Sequence, residues 1–311
     1  MDDAEMPGAP CDQGAVTELP VTGEVAAAVV DLVPLLRRFC RGPYGLALGG
    51  AHAKGVDDAQ SDLDLYAFCD DIHPNAVRSE WACAHSARIT AVVSWGDDTD
   101  PVNAGTDFEF DGLKTECWFR GVSAISRAVE ECAAGTVRQD LVTWTVAGFY
   151  NHCCLSDLKV MVPLVDPHGL IAAWKEQVAV YPPNLRRAIV ERHLGAARFW
   201  PGSFHYASAV ERGDTIYTTG IVQQVLHNLI QVFFALNRTY FPGDKKLAAA
   251  LGKLRHTPEG LVRTVTELMA TPEASDIEAL RAQRRGLQAL LAATESLVDT
   301  HLPDDGPSPP D

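Results

Sequence analysis

Apolar residues follow two different spacings along this chain, and the change between them divides it. Val25, Val29, Leu32, Val33, Leu36 and Phe39 recur at helical spacing and predict a helix over 24–40, with Thr22 as its cap and Arg37 and Arg38 at its C-terminal end. Short apolar runs follow. Leu46-Ala47-Leu48, the segment around Leu63 and Leu65, and residues 88–95, 107–111 and 113–119 read as strands. Residues 74–84 read as a helix among them, and 96–105 as a polar loop with Gly-Asp-Asp and Asp-Pro turn elements. From about residue 122 the spacing is helical throughout. Candidate helices cover 123–133, 140–154, 168–180, 184–200, 215–240, 245–254, 258–269 and 275–302, with breaks at Pro182-Pro183 and Pro201-Gly202. The pattern therefore predicts an α+β chain: a small mixed-sheet domain followed by an all-helical one. Acidic, Gly- and Pro-containing residues at the start and four prolines in 303–311 predict disordered tails over 1–21 and 303–311.

Composition narrows the choice of partners. A chain of 311 residues suits about two domains. The net charge of −15 argues against a large phosphate-backbone footprint, so nucleic acid is a poor substrate candidate. An acidic cleft would suit an amine-bearing small molecule. No apolar run approaches the ~20 residues of a membrane span, and Met1-Asp2-Asp3-Ala4-Glu5 lacks the basic start of a signal peptide. The eight cysteines show no Cys-x-x-Cys pair, and His152-Cys153-Cys154 reads as helix packing rather than a metal site. Free, buried thiols and a cytoplasmic location are expected, with no membrane partner.

The candidate chemistry lies in residues 44–68. Gly49 and Gly50 end the run Leu46-Ala47-Leu48, and glycines there let the backbone turn sharply and approach a ligand. Successive N–H groups in such a turn, here at Gly49, Gly50 and Ala51, form an anion-binding nest. Asp62 and Asp64 alternate with Leu63 and Leu65, so both carboxylates point to one face of a strand. Two like charges there repel, and a hard divalent ion such as Mg2+ between them is the usual remedy. A phosphate cradle beside a metal-binding Asp-x-Asp is the equipment of phosphoryl or nucleotidyl transfer.

Gly50-Ala51-His52-Ala53-Lys54-Gly55, five residues, then Ser61-Asp62-Leu63-Asp64 resembles the signature of the polymerase β-like nucleotidyltransferase superfamily, Gly-Ser-x-Ala-x-Gly, five residues, Ser-Asp-x-Asp. One position departs: the usual serine is Ala51, which removes a hydroxyl and keeps the backbone N–H. The resemblance implies a nucleotidyltransferase domain over 22–135 and a substrate-binding helical domain over 136–302. It also implies a third acid on a neighbouring strand. Glu116, in Leu113-Lys114-Thr115-Glu116-Cys117-Trp118-Phe119, is the candidate, as metal ligand or as base, with Glu109 as its substitute. Asp107, Glu109 and Asp111 read as the wet face of their strand, with Phe108 and Phe110 in the core.

The run from His227 to Lys246 is similar to the helical domain of a bacterial nucleotidyltransferase subgroup that includes antibiotic-modifying enzymes. Asn228, Gln231 and Asn237 interrupt an apolar helix there, and buried amides need partners. His227 reads as a structural histidine. Lys245 and Lys246 read either as a solvated helix start or as lysines reaching nucleotide phosphates.

The resemblance implies binding of a nucleoside triphosphate, ATP for preference, with one or two Mg2+ ions on Asp62, Asp64 and Glu116. Gly49, Gly50, Ala51, Lys54, Ser61 and Lys245 would contact the nucleotide, and AMP would pass to a hydroxyl of a small-molecule acceptor with release of pyrophosphate. An antibiotic or biosynthetic intermediate is the implied acceptor, and relatives that pair between subunits make a homodimer an option. A protein or tRNA acceptor, or a catalytically weak nucleotide-binding relative, are the alternatives.

Overall fold

The computed structural model describes Leu19 and residues 21–96, 104–273 and 276–302. Nearly all of the two expected tails, and most of the polar loop expected over 96–105, lie outside the described residues. The chain is α+β and forms two compact units: Met1–Ile125 with Val160–Glu176, and Ser126–Lys159 with Gln177–Asp311.

The first unit contains a six-stranded mixed sheet. Its strands are β1 (Cys40–Leu48), β2 (Leu63–Ile72), β3 (Ile89–Trp95), β4 (Ala104–Phe110), β5 (Leu113–Arg120) and β8 (Val162–Val165). Their order across the sheet is β3-β4-β5-β2-β1-β8. All neighbouring pairs are antiparallel except β2 and β5, which run parallel. Helices α1 (Gly23–Phe39) and α3 (Asn75–His85) supply buried residues to the core of this unit. Val29, Leu32, Leu36 and Phe39 of α1 join Leu63, Leu65, Phe108, Phe110 and Phe119 of the strands, each contributing roughly 1.5–3 kcal/mol by leaving water. The expected alternation holds: Phe108 and Phe110 are buried, Asp107 is partly exposed and Glu109 is exposed. Arg78 of α3 is fully buried. It donates to the Gly105 carbonyl and Thr106 Oγ1, pairs with the Asn75 side chain and lies 4.6 Å from the Phe119 ring.

The return of residues 160–176 to this unit was not signalled by the hydrophobic spacing. β8 pairs with the edge of β1, and Trp174 of α6 (Leu170–Ala179) meets Phe68 edge-on at 5.3 Å. Helix α4 (Val122–Ala133) starts in this unit, where Asp70 accepts from the backbone N–H and hydroxyl of Ser123 at 2.9 Å each.

The second unit contains α5 (Asn151–Val160), α7 (Pro183–Gly202), α8 (Phe204–Glu211), α9 (Thr215–Leu236), α10 (Leu247–Leu251), α11 (Leu261–Met269) and α12 (Ile277–His301), with a two-stranded ribbon of β6 (Gln139–Asp140) and β7 (Phe149–Tyr150). The helix expected over 140–154 is therefore wrong in its first half. Leu141 and Val146 are almost wholly exposed, and Gly148 sits at φ 90°, so these apolar residues line no buried helical face. Helix α8 was not anticipated. Contrary to the expectation of no membrane-length apolar run, α9 is long and apolar enough to cross a membrane, but 72% of that window is buried. Its apolar residues pack against α7 and α12, which accounts for its composition. None of the seven described cysteines is in a disulfide, and four are buried.

The amide oxygens of Asn228, Gln231 and Asn237 all find partners, whereas Gln231 Nε2 is buried without one. Gln231 Oε1 pairs with His152 Nε2 at 3.1 Å, and Asn228 Oδ1 with His193 Nδ1 at 2.7 Å. Asn237 caps the helix end and accepts from the N–H groups of Arg255 and His256 at 2.8 Å. Tyr150 stacks on both His152 and His227 and hydrogen-bonds His227 Nε2 at 2.9 Å, a partner of the kind a structural histidine needs.

Candidate active site

Strand register gathers acids on the open face of the sheet. Asp64 of β2 is directly opposite Glu116 of β5, and Glu116 is directly opposite Asp107 of β4. Leu63 and Leu65 point into the core, so Asp64 points out. Asp62 precedes β2 by one residue rather than lying inside it. The three carboxylates Asp107, Glu116 and Asp64 thus form a row across three adjacent strands. Asp107 was read from sequence only as a wet-face residue, and its place beside Glu116 follows from the β4–β5 hairpin register, which that reading did not align.

A second row lies beside the first. Trp95 is opposite Gly105, Gly105 is opposite Trp118, and Trp118 is opposite Tyr66. Gly105 is required here: a Cβ on it would stand 2.7 Å from Trp95 Nε1, so its absence lets the indole lie over the strand. The two indoles meet edge-on at 5.0 Å. Each also holds a carboxylate, Trp95 Nε1 donating to Asp107 Oδ2 at 2.6 Å and Trp118 Nε1 to Glu116 Oε2 at 3.2 Å. Arg120 lies over Trp118 at 4.8 Å. Burial chiefly, and then the Glu116 charge, push the Asp107 carboxyl above its usual range, while the Trp95 hydrogen bond opposes this. The other oxygen, Oδ1, is buried without a hydrogen-bond partner.

The glycine turn closes onto this face. Gly49 N–H donates to the Asp64 carbonyl at 2.9 Å, so that donor serves the sheet and not an anion. A Cβ on Gly49 would meet the Tyr66 ring at 2.8 Å, and one on Gly50 would stand 2.5 Å from Asp64 Cγ. Gly50 has φ 60° and opens α2 (Gly50–Lys54), a single short turn of helix that also carries Ala51. Gly50 is what permits the backbone to approach the Asp64 carboxylate, and Gly49 what admits the Tyr66 ring. Lys54 ends that turn, exposed to solvent. Ser61 Oγ donates to Asp58 Oδ1 at 3.1 Å and accepts from Asp58 N–H at 3.0 Å, shaping the loop that delivers Asp62. His52 is buried, with Nδ1 3.6 Å from Asp57.

Lys114 also reaches into this face. Its ammonium lies 3.1 Å from Asp62 Oδ2 and 3.5 Å from Glu116 Oε1, and the Asp62 contact above all holds its proton more tightly than usual. Among the described residues no three His, Cys, Asp or Glu side chains converge as metal ligands. Asp62, Asp64 and Glu116 nevertheless supply the hard oxygen donors a divalent ion takes, two of them in direct register, and Gly50 leaves room for no side chain beside Asp64. Glu109, the substitute for Glu116, is opposite Lys114 and one position away from the acidic row. Lys245 and Lys246 are exposed residues of the second unit, ahead of α10.

Three comparisons bear on this chain. A family model described as a domain of unknown function, DUF4037, matches residues 154–247. No curated protein matches the chain. It is similar to the solved structure of a nucleotidyltransferase-like protein from Exiguobacterium sibiricum 255-15, at 12% identity and a TM-score of 0.39, covering 92% of this chain and 82% of that one.

Proposed function

We propose that this protein is a nucleotidyltransferase that moves a nucleoside monophosphate, AMP from ATP for preference, to a hydroxyl of a small molecule and releases pyrophosphate. One observation carries the reading: the register that sets Asp64 opposite Glu116, beside a glycine turn whose backbone touches the Asp64 carboxylate. The resemblance of residues 50–64 to the superfamily signature supports it.

In this reading Asp62, Asp64 and Glu116 hold Mg2+, which when bound supplies the positive charge that phosphoryl chemistry needs. The backbone at Gly50 and Ala51 receives the departing phosphates. The edge-on Trp95–Trp118 pair offers an aromatic wall beside the acids, suited to packing against a ring of the nucleotide or acceptor. Glu116 binds metal or takes the acceptor proton, and the hydrogen bond from Trp118 fixes its orientation for either role. The acceptor oxygen bonds to the α-phosphorus as the bond to pyrophosphate breaks.

A second reading, a nucleotide-binding protein without turnover, has two supports: Ala51 in place of the usual serine, and the Lys114 ammonium among the carboxylates. Pyrophosphate release, measured with ATP, Mg2+ and a panel of hydroxylic and aminated acceptors, separates the two. Release that vanishes in D64N supports transfer. Tight ATP binding with no release under any acceptor supports the second reading.

A further inference from the structure

We propose that Lys114 is the resident counter-cation of this acidic face, and that a divalent ion binds there by displacing its ammonium. The inference rests on the nucleotidyltransferase reading above. Residues 114 and 116 alternate on one side of β5, so Lys114 and Glu116 share the open face. From there the lysine spans to Asp62, which arrives from the loop before β2. Its nitrogen therefore lies between two of the three carboxylates proposed as metal ligands, 3.1 Å from one and 3.5 Å from the other. Like charges gathered on one face repel, and a nearby ammonium relieves that repulsion when no metal is bound.

The contact has the strength expected of a displaceable one. Lys114 is largely exposed, so water screens both of its contacts and keeps them weak. An ammonium on a flexible four-carbon stem can leave without moving the strand that carries it. A doubly charged ion that engages both carboxylates outcompetes it, and the affinity of that ion is lowered by the work of removing the lysine.

The test is calorimetric titration of Mn2+ alone, without nucleotide, into the full chain as wild type, K114Q, K114R and D62N/D64N, with melting curves to establish folding. K114M replaces K114Q should that variant not fold. The expected result is Mn2+ binding roughly five- to ten-fold tighter in K114Q, close to wild type in K114R, and absent in D62N/D64N. K114Q binding equal to or weaker than wild type overturns the role of Lys114. If wild type still binds and D62N/D64N does not, that result leaves the nucleotidyltransferase reading standing. Absence of Mn2+ binding in wild type and K114Q alike overturns both.

Discussion

Asp64 and Glu116 stand opposite one another on the only parallel strand pair of the described sheet, with their carboxylates on its open face. Like charges placed directly opposite work against folding. Residues kept for chemistry rather than stability should show it when neutralised. D64N and E116Q are expected to cost no more than about 0.5 kcal/mol in urea unfolding, since each relieves repulsion. The same variants should lose at least about 100-fold in pyrophosphate release, because positioned metal-ligand or base carboxylates contribute on that scale or above. A loss of several kcal/mol with activity retained would make the pair structural.

The glycines at 50 and 55 separate space from backbone strain. Both have φ near 60°, but only Gly50 faces an obstacle, the Asp64 carboxylate, while a Cβ on Gly55 meets nothing within 4 Å. G55A should cost about 1 kcal/mol, the ordinary cost of the left-handed conformation for alanine. G50A should cost roughly 2–4 kcal/mol and should abolish metal-dependent nucleotide binding. Equal losses in chemical denaturation would remove the argument for a close approach at Asp64.

Acid should destabilise the helical unit through its buried histidines. Burial holds His152 down to about 4 and His193 to about 3, with Arg192 adding to both and the amides of Gln231 and Asn228 opposing. His227, also lowered by burial, is partly compensated by Asp244. In the unfolded chain these imidazoles titrate near 6.5. Below that pH the unfolded state takes up protons that the folded state refuses, so stability is full above about pH 6.5 and falls from there through pH 4. The loss should reach a few kcal/mol by pH 4.5, read by urea unfolding at fixed pH steps. H152Q and H193N should flatten that slope whatever their effect at pH 7.5, and an unchanged slope would assign the acid sensitivity elsewhere.

Asp70 caps α4 through Ser123, accepting from both its N–H and its hydroxyl. D70A should cost about 1 kcal/mol, the usual worth of an N-terminal cap, without change in nucleotide binding. A shift in binding would tie the start of α4 to the site.

The glycine turn and the Asp-x-Asp strand were legible in the sequence because their chemistry is local. Gly49-Gly50 must turn sharply, and Leu63 and Leu65 define a face that Asp64 must oppose. The acidic row was only half legible. Glu116 was found through a resemblance, whereas Asp107 joins it through strand register, a non-local property that alternation alone does not set. The Trp95–Gly105–Trp118 row was missed because Gly105 was read as the end of the polar loop over 96–105, whereas it lies inside β4, where a glycine admits the close approach of the Trp95 ring. β8 was illegible: four residues, one of them a proline, between helices look like a loop until the exposed edge of β1 is known. Residues 140–150 were misread because β-branched residues and Leu141 fell at a helical spacing with no helix to bury them.

Magnesium-dependent triphosphate binding tests the central claim most directly. ATP, CTP, GTP and UTP are titrated calorimetrically into wild type and into D62N/D64N, with Mg2+ and with chelator. The account predicts binding of one triphosphate, ATP for preference, that needs Mg2+ and is lost in the double variant while its melting curve stays that of a folded protein. Binding that survives both the chelator and the double substitution would contradict it, as would no binding of any triphosphate.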